Sequence, residues 1–164
     1  MKVRNAEARD AAAVAAIYNP YIASTVITFE EELLDAGALA DRFRAVEAAG
    51  LPWIVMEDAG EIAGYAYATT WRTRAAYRYA VETAVYLPPE RFGRGIGSAL
   101  YLELEQRLAS AGIRAMIGCI ALPNEPSVAL HEKLGFEKVG HFPEVGRKLD
   151  RWIDVGFWQK SLAR

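Results

Sequence analysis

Apolar positions along the chain change period several times, and each change marks an element. Lys2 to Ala6 alternates weakly and predicts a first strand. Asp10 is placed to cap a helix in which Val14, Ile17, Tyr18 and Tyr21 recur at helical spacing, with Pro20 near its end. Ser24 to Leu33 is β-branched and polar by turns, a loop suited to lining a pocket, and it leads to a second helix from Asp35 to Ala49 that stops at Gly50-Leu-Pro52. Trp53 to Glu57 and Ile62 to Trp71 are apolar, β-rich runs joined by Asp58-Ala-Gly-Glu61, the signal of a hairpin. Tyr79 to Leu87 follows as a strand. Ile96, Leu100, Leu104 and Leu108 then repeat every four residues until Gly112 closes the helix. Ala115 to Ala121 predicts a short buried strand, Asn124 or Glu125 to Leu134 a helix ended by Gly135, and Glu137 to Val145 with Arg151 to Lys160 the last strands. The order β, α, α, β, β, β, α, β, α, β, β mixes hairpins with crossovers and predicts an α/β (α+β) fold, a mixed sheet covered by helices.

Composition narrows the function classes. With 164 residues, 52% hydrophobic and 24% charged, the chain suits one domain over residues 1–164. A net charge of −2 supplies no basic field for nucleic acid. The first ten residues hold no apolar targeting core, and the nearby run Ala11 to Tyr18 is far short of the roughly 20 residues that cross a bilayer, so a cytoplasmic protein without membrane contact is expected. Cys119 stands alone in an apolar strand and is expected to pack in the core.

The chemistry concentrates in Val81 to Ser98, where a strand runs into a glycine-rich turn that opens a helix. Gly93, Gly95 and Gly97 let backbone N–H groups converge on a phosphate, with the helix N-terminus behind them. Arg91 and Arg94 can add forked donors, which favours a nucleotide-like ligand over an isolated anion. No Lys follows Gly97, so the phosphate-transferring loop of ATP and GTP enzymes is disfavoured. The glycine spacing and the following strand Arg114-Ala-Met-Ile-Gly-Cys-Ile, which lacks a carboxylate for a ribose, disfavour a dinucleotide fold.

Arg91-Phe-Gly-Arg-Gly-Ile-Gly is similar to the coenzyme A loop of the GNAT superfamily of N-acetyltransferases, and Leu122-Pro-Asn-Glu-Pro-Ser-Val-Ala-Leu-His-Glu-Lys-Leu-Gly-Phe136 resembles a second block of that superfamily. Val81-Glu-Thr-Ala-Val-Tyr86, Leu122 to Val128 and Asp154-Val-Gly-Phe-Trp-Gln159 resemble its phosphinothricin and methionine sulfoximine acetyltransferase branch, a match over nearly the whole chain. The resemblance implies a mostly antiparallel sheet with its fourth and fifth strands splayed, acetyl-CoA as cosubstrate, no metal, and a homodimer. It implies cofactor contacts from Val85, Tyr86, Leu87, Arg91, Gly93, Arg94, Gly95, Ile96, Gly97, Ser98, Asn124 and Lys133, with the Val85 N–H facing the oxyanion.

Acetyl transfer to an amine needs a neutral amine, oxyanion donors and an acceptable leaving thiolate. Glu82, on the strand feeding the glycine loop, is the candidate base, acting through water. An α-amino group of pKa about 7.8 is already roughly one-seventh neutral at pH 7, so little help is needed. Asn124 either caps the next helix or meets the cofactor arm near sulfur. His131 stands where the wider superfamily places a proton-donating tyrosine and, as a catalytic candidate, could help protonate the leaving sulfur without being indispensable; the alternative is a partly exposed helical residue with no catalytic duty. His141 is assigned a structural place. For the acceptor, Arg72 and Arg74 would share one face if the strand continues past Trp71, gripping a carboxylate. Phe29, Glu30, Tyr77 and Lys148, from a C-terminal loop, would complete a site for a small zwitterion whose amine meets Glu82. The tryptophans at 71, 152 and 158 are expected in core or subunit contacts. The function expected is direct acetylation of a small amino acid or analogue such as phosphinothricin, methionine sulfoximine or methionine sulfone. The alternatives are another amine (a protein N-terminus, a polyamine, an aminoglycoside) or a non-catalytic acyl-coenzyme A sensor.

Overall fold

The computed structural model describes residues 1–162; the last two of the expected 1–164 domain lie outside them. Seven strands form one sheet in the order β1-β2-β3-β4-β5-β7-β6. They are β1 (Lys2–Asn5), β2 (Trp53–Asp58), β3 (Glu61–Thr70), β4 (Ala80–Tyr86), β5 (Ala115–Leu122), β6 (Glu137–Lys148) and β7 (Arg151–Ser161), with helices α1 (Ala11–Ser24), α2 (Ala36–Ala48), α3 (Ile96–Ser110) and α4 (Glu125–Lys133). The predicted order and the mixed, mostly antiparallel sheet are both present.

Local departures have plain causes. Asp10 precedes α1 without capping it by its side chain, because Arg4 holds both carboxylate oxygens at 2.7 and 2.8 Å and the Glu7 N–H donates to the same group. Pro20 lies inside α1, which runs on to Ser24. The hairpin turn places Ala59 (φ 51°) and Gly60 (φ 84°) in the left-handed region, the pattern of a two-residue turn that matches strand twist. β6 runs three residues beyond the expected Val145, to Lys148.

Two apolar layers sandwich the sheet. Ala66, Ala68, Val81, Met116 and Ile120 pack with α3 residues Ile96, Leu100, Tyr101, Leu104 and Leu108 on one face. Trp53, Val55 and Tyr65 pack with Val14, Ile17, Tyr18, Ile22, Leu39 and Phe43 of α1 and α2 on the other. Because strand side chains alternate, Glu82 shares the α1–α2 face while Val81 and Thr83 face α3.

The parallel pair β4–β5 is the feature that positions the site. Its ladder runs from Ala80↔Ala115 to Thr83↔Gly118 and stops there, although β4 continues to Tyr86 and β5 to Leu122. Beyond that rung the two strands part, as the resemblance implies.

Candidate active site

At the strand parting, the backbone of β4 has unpaired groups aimed across the gap. Trp71 N–H donates to Ala80 C=O at 3.4 Å, and Arg114 N–H donates to Tyr79 C=O at 2.8 Å, so even residues of β4 bond to β3 and odd residues point toward β5. The β3 register continues unbroken to Tyr65↔Tyr86. Val85, opposite Ala66, therefore turns its N–H and C=O into the gap. Leu87 is bound at its carbonyl by the Tyr21 hydroxyl, and Tyr86 is wedged between Tyr18 and Tyr21.

The glycine turn has the form of an anion cradle. Gly93 and Gly95 have φ of 74° and 77°, and a Cβ at either would meet nothing within 4 Å. Glycine is there for backbone conformation and open approach. The N–H groups of residues 93 to 98 donate to no backbone carbonyl among the described residues; Ala99 is the first to bond back, to Gly95 at 3.0 Å. Ile96 is buried in the core, whereas Ser98 lies in the exposed-side first turn of α3 with its N–H free for an anion. Gly97 differs: it is buried without a positive φ, and a Cβ there would meet Leu130 of α4 at 3.4 Å and Leu87 at 3.7 Å, ordinary contact distances. Arg94 is exposed and makes no ion pair among the described residues. Arg91, expected on the pyrophosphate, instead pairs with Asp58 at 2.8 Å and Glu61 at 3.4 Å. It pins the cradle to the β2–β3 turn, an attachment between distant parts of the chain that local sequence does not carry. Lys133 ends α4, exposed.

Glu82 lies on the α1–α2 face, half-buried, where removal from water raises its carboxyl above the usual range. The Cys119 thiol, on the same face of β5 just past the last rung, partly opposes this shift. Burial and the Glu82 charge push that thiol well up in turn, which disfavours the thiolate that a nucleophile needs. Tyr67, on the same face, has its phenol pushed up to about 12 by burial and then by the Glu82 charge. Cys119 and Tyr67 are neighbours that the sequence reading missed. Strand parity would have found Tyr67, since Tyr67 lies opposite Ala84, which shares a face with Glu82.

Asn124 serves as the N-cap of α4, accepting at Oδ1 from the Ser127 N–H at 3.3 Å, and its Nδ2 donors meet no acceptor among the described residues. His131 is buried, 4% exposed, correcting the partly exposed alternative. Its Nδ1 meets the Ser127 carbonyl at 2.7 Å and its Nε2 the Tyr101 hydroxyl at 3.0 Å. Burial lowers its pKa, which favours the neutral ring.

The acceptor residues divide into two groups. Glu30 accepts two bonds from Arg42 and one from Tyr18, and the Arg42 pair holds its carboxyl below the usual range. Lys148 is not in a loop: it ends β6, 4% exposed, and its Nζ donates to the Thr28 carbonyl at 2.8 Å. Phe29 lies over Gly146, where a Cβ would come within 2.3 Å of the ring, and Val26 packs on Ala121 and Ile153. The loop between α1 and α2 is thereby laid across β5, β7 and β6 on the Glu82 face. Arg72, Arg74 and Tyr77 do not extend β3, which ends at Thr70. They are exposed on a connection whose residues 75–77 make one turn of 3-10 helix, and Arg72 stacks over Trp71 at 5.1 Å. Trp71 in turn meets Phe157 edge-on at 5.9 Å, an aromatic wall beside Cys119, which pairs with Phe157. Trp158 is core and Trp152 is exposed. His141 pairs with Asp154 at 2.8 Å on the surface, consistent with a structural place.

Among the described residues no cluster of three or more His, Cys, Asp or Glu could hold a metal ion, and no helix is long and apolar enough to cross a membrane. Comparison with known proteins agrees with the geometry. A family described as acetyltransferase (GNAT) domain matches residues 3–156. A phosphinothricin N-acetyltransferase of Streptomyces viridochromogenes is 38% identical, over 99% of this chain and 88% of that one. An L-methionine sulfoximine/L-methionine sulfone acetyltransferase of Pseudomonas paraeruginosa is 35% identical, over 98% and 94%. The solved phosphinothricin acetyltransferase of Sinorhizobium meliloti, in complex with acetyl-CoA, superposes with a TM-score of 0.94 at 39% identity, over 99% and 88%. The cradle, the strand parting and a matching family over most of its length lead to one conclusion: this chain belongs to the GNAT family of N-acetyltransferases.

Proposed function

We propose that the protein, acting as one N-acetyltransferase domain, moves an acetyl group from acetyl-CoA directly to the α-amino group of a small amino acid or analogue of the phosphinothricin, methionine sulfoximine or methionine sulfone type. The observation that carries this is a half-buried carboxylate, Glu82, at the mouth of a strand parting whose other end is an anion cradle. The cradle suits a pyrophosphate: N–H groups without backbone acceptors among the described residues border a turn that is open where Gly93 and Gly95 lack a Cβ. Acetyl-CoA supplies the acetyl group as a thioester.

Glu82 accepts the amine proton, directly or through one water, and its raised pKa brings it nearer to neutral pH, where a base works best. The Val85 N–H, turned into the gap, is placed to donate to developing negative charge. Asn124 keeps one amide group for the cofactor arm while its oxygen caps α4. The Cys119 thiol, its thiolate disfavoured, supports direct transfer over an acyl-enzyme.

On the acceptor side, Glu30 is already neutralised by Arg42, which leaves Glu82 as the carboxylate for an amine and disfavours a polyamine with several cations. Arg72 and Arg74, exposed at the rim, make no ion pair among the described residues and can close on a carboxylate. We assign the protein to the cytoplasm, without nucleic-acid or membrane partners, as a homodimer. The test is release of coenzyme A thiol across a panel of amines. Small α-amino acids and their sulfoximine, sulfone or phosphinate analogues should turn over best, and Arg74→Ala should raise KM for them by about tenfold, the order of one charge-assisted hydrogen bond. Absence of turnover with every amine would leave the sensor reading, and an Arg74→Ala variant with unchanged KM would reject the carboxylate assignment.

A further inference from the structure

The last rung of the β4–β5 ladder is gripped from below by one buried pair of side chains. Thr83, its β4 member, has Oγ1 3.4 Å from the Tyr101 hydroxyl of α3. Gly118, its β5 member, is covered by the His131 ring of α4 so closely that a Cβ would lie 2.6 Å from Nε2. Tyr101 and His131 join at 3.0 Å, their rings edge to face 5.2 Å apart, and Phe136 closes the third side at 5.0 Å from the imidazole. Both rings are almost fully buried. The chain Thr83, Tyr101, His131, Ser127 thus links β4, α3 and α4 beneath the rung at which the strands part.

The Ser127 carbonyl fixes one bond direction, and neutrality of the buried ring sets the others. A carbonyl oxygen only accepts, so the Ser127 carbonyl at 2.7 Å requires the proton on Nδ1. Nε2 of the neutral ring then carries a lone pair, and the Tyr101 hydroxyl must donate to it. The Tyr101 oxygen is left to accept from Thr83. In this arrangement the imidazole has no proton on its Nε2 to give to a departing sulfur, and its one N–H is committed to the helix backbone.

We propose that His131 is a positioning residue, an acceptor-only strut that, through Tyr101, holds α4 and the last β4–β5 rung in the spacing that keeps the gap open for the cofactor arm. Gly118 is part of the same device, since only a residue without a side chain admits the ring. Without the strut, α4 keeps its Leu130 packing and the bond from the Trp158 indole to Glu132 but loses its link to the rung at which the strands part, and Asn124 at its N-terminus is held less closely beside the parting. The kinetic consequence rests on the acetyl-transfer reading given above; the proton assignment does not.

Two measurements test it. Nitrogen-15 NMR of the histidine side chains in the wild-type protein should show His131 with a protonated Nδ1 and a lone-pair Nε2, in the free protein and with coenzyme A added. A proton on Nε2 in either state overturns the proposal. In steady-state kinetics, Tyr101→Phe and His131→Gln should each raise KM for acetyl-CoA about tenfold, as expected for one lost buried hydrogen bond, and the double variant should be no worse than the more affected single one, because the two residues act as a unit. A His131→Gln variant that loses kcat with an unchanged KM for acetyl-CoA, while Tyr101→Phe keeps full activity, would identify an acid and contradict the strut. If no amine is acetylated at all, the NMR result still decides the proton assignment.

Discussion

At the level of single residues, the neighbours of one carboxylate decide how it titrates. Glu82 is raised by burial and lowered by the Cys119 thiol, and the sign of each effect gives an expected pH dependence. The base works only when deprotonated, so kcat/KM should fall as pH drops through a pKa above the usual carboxylate range. A thiol that donates to the carboxylate favours its charged form; removing it favours the protonated form. Cys119→Ala should therefore move the acidic limb of the kcat/KM profile to higher pH, and Cys119→Ser, which retains a donor, should move it less. A limb that stays in place in Cys119→Ala would show that the thiol does not bear on the base. Sequence made Glu82 legible because it stands in a motif, but Cys119 was legible only as an apolar strand residue. Its neighbour across the parallel pair depends on a register that no local pattern encodes. The same holds for Arg91, whose partners Asp58 and Glu61 lie about 30 positions away.

At the scale of elements, the glycine turn separates into residues with different duties. Gly93 and Gly95 need positive φ, whereas Gly97 has no positive φ and a Cβ there would make only ordinary contact with Leu130 and Leu87. A residue with a Cβ at 95 meets the penalty of the left-handed region, roughly 1–2 kcal/mol. Gly95→Ala should lower stability by about that amount in chemical denaturation and weaken acetyl-CoA binding by calorimetry, since the cradle would have to change its backbone to relieve the strain. Unchanged stability and unchanged binding would mean that the turn is neither strained nor the cofactor site. Elements with one strong period were readable in advance: α3 through Ile96, Leu100, Leu104 and Leu108, and the β2–β3 hairpin through its turn. The connection after Thr70 was not, because a β-rich run up to Trp71 gives no signal for where a ladder stops. Arg72 and Arg74 consequently leave the strand face expected of them and stand at the rim. His131 was hidden for a related reason, since α4 is amphipathic only weakly and its burial comes from Gly118 and Tyr101 on other elements.

At the scale of the whole molecule, the sheet ends on β6, an edge strand of 12 residues. Its Val139, Phe142 and Val145 are exposed, as are Leu149 and Trp152 at the β6–β7 turn. An edge of this length with apolar side chains is a pairing surface unless it is covered, and a second copy of the chain is the cover that fits the proposed homodimer. Sedimentation at micromolar concentration should give a dimer for the wild type and a shift toward monomer for Val145→Asp; a monomeric wild type would remove the dimer from the account.

The central claim remains that Glu82, at the parting of β4 and β5, takes the proton from the acceptor amine while the cradle holds the cofactor elsewhere. Measuring kcat for Glu82→Gln with the best amino-acid acceptor, alongside the dissociation constant for acetyl-CoA, separates these duties. The account predicts a fall in kcat of about a hundredfold or more, the usual worth of a positioned base, with cofactor affinity unchanged. Full activity in Glu82→Gln, or a loss that follows weakened acetyl-CoA binding, would contradict it.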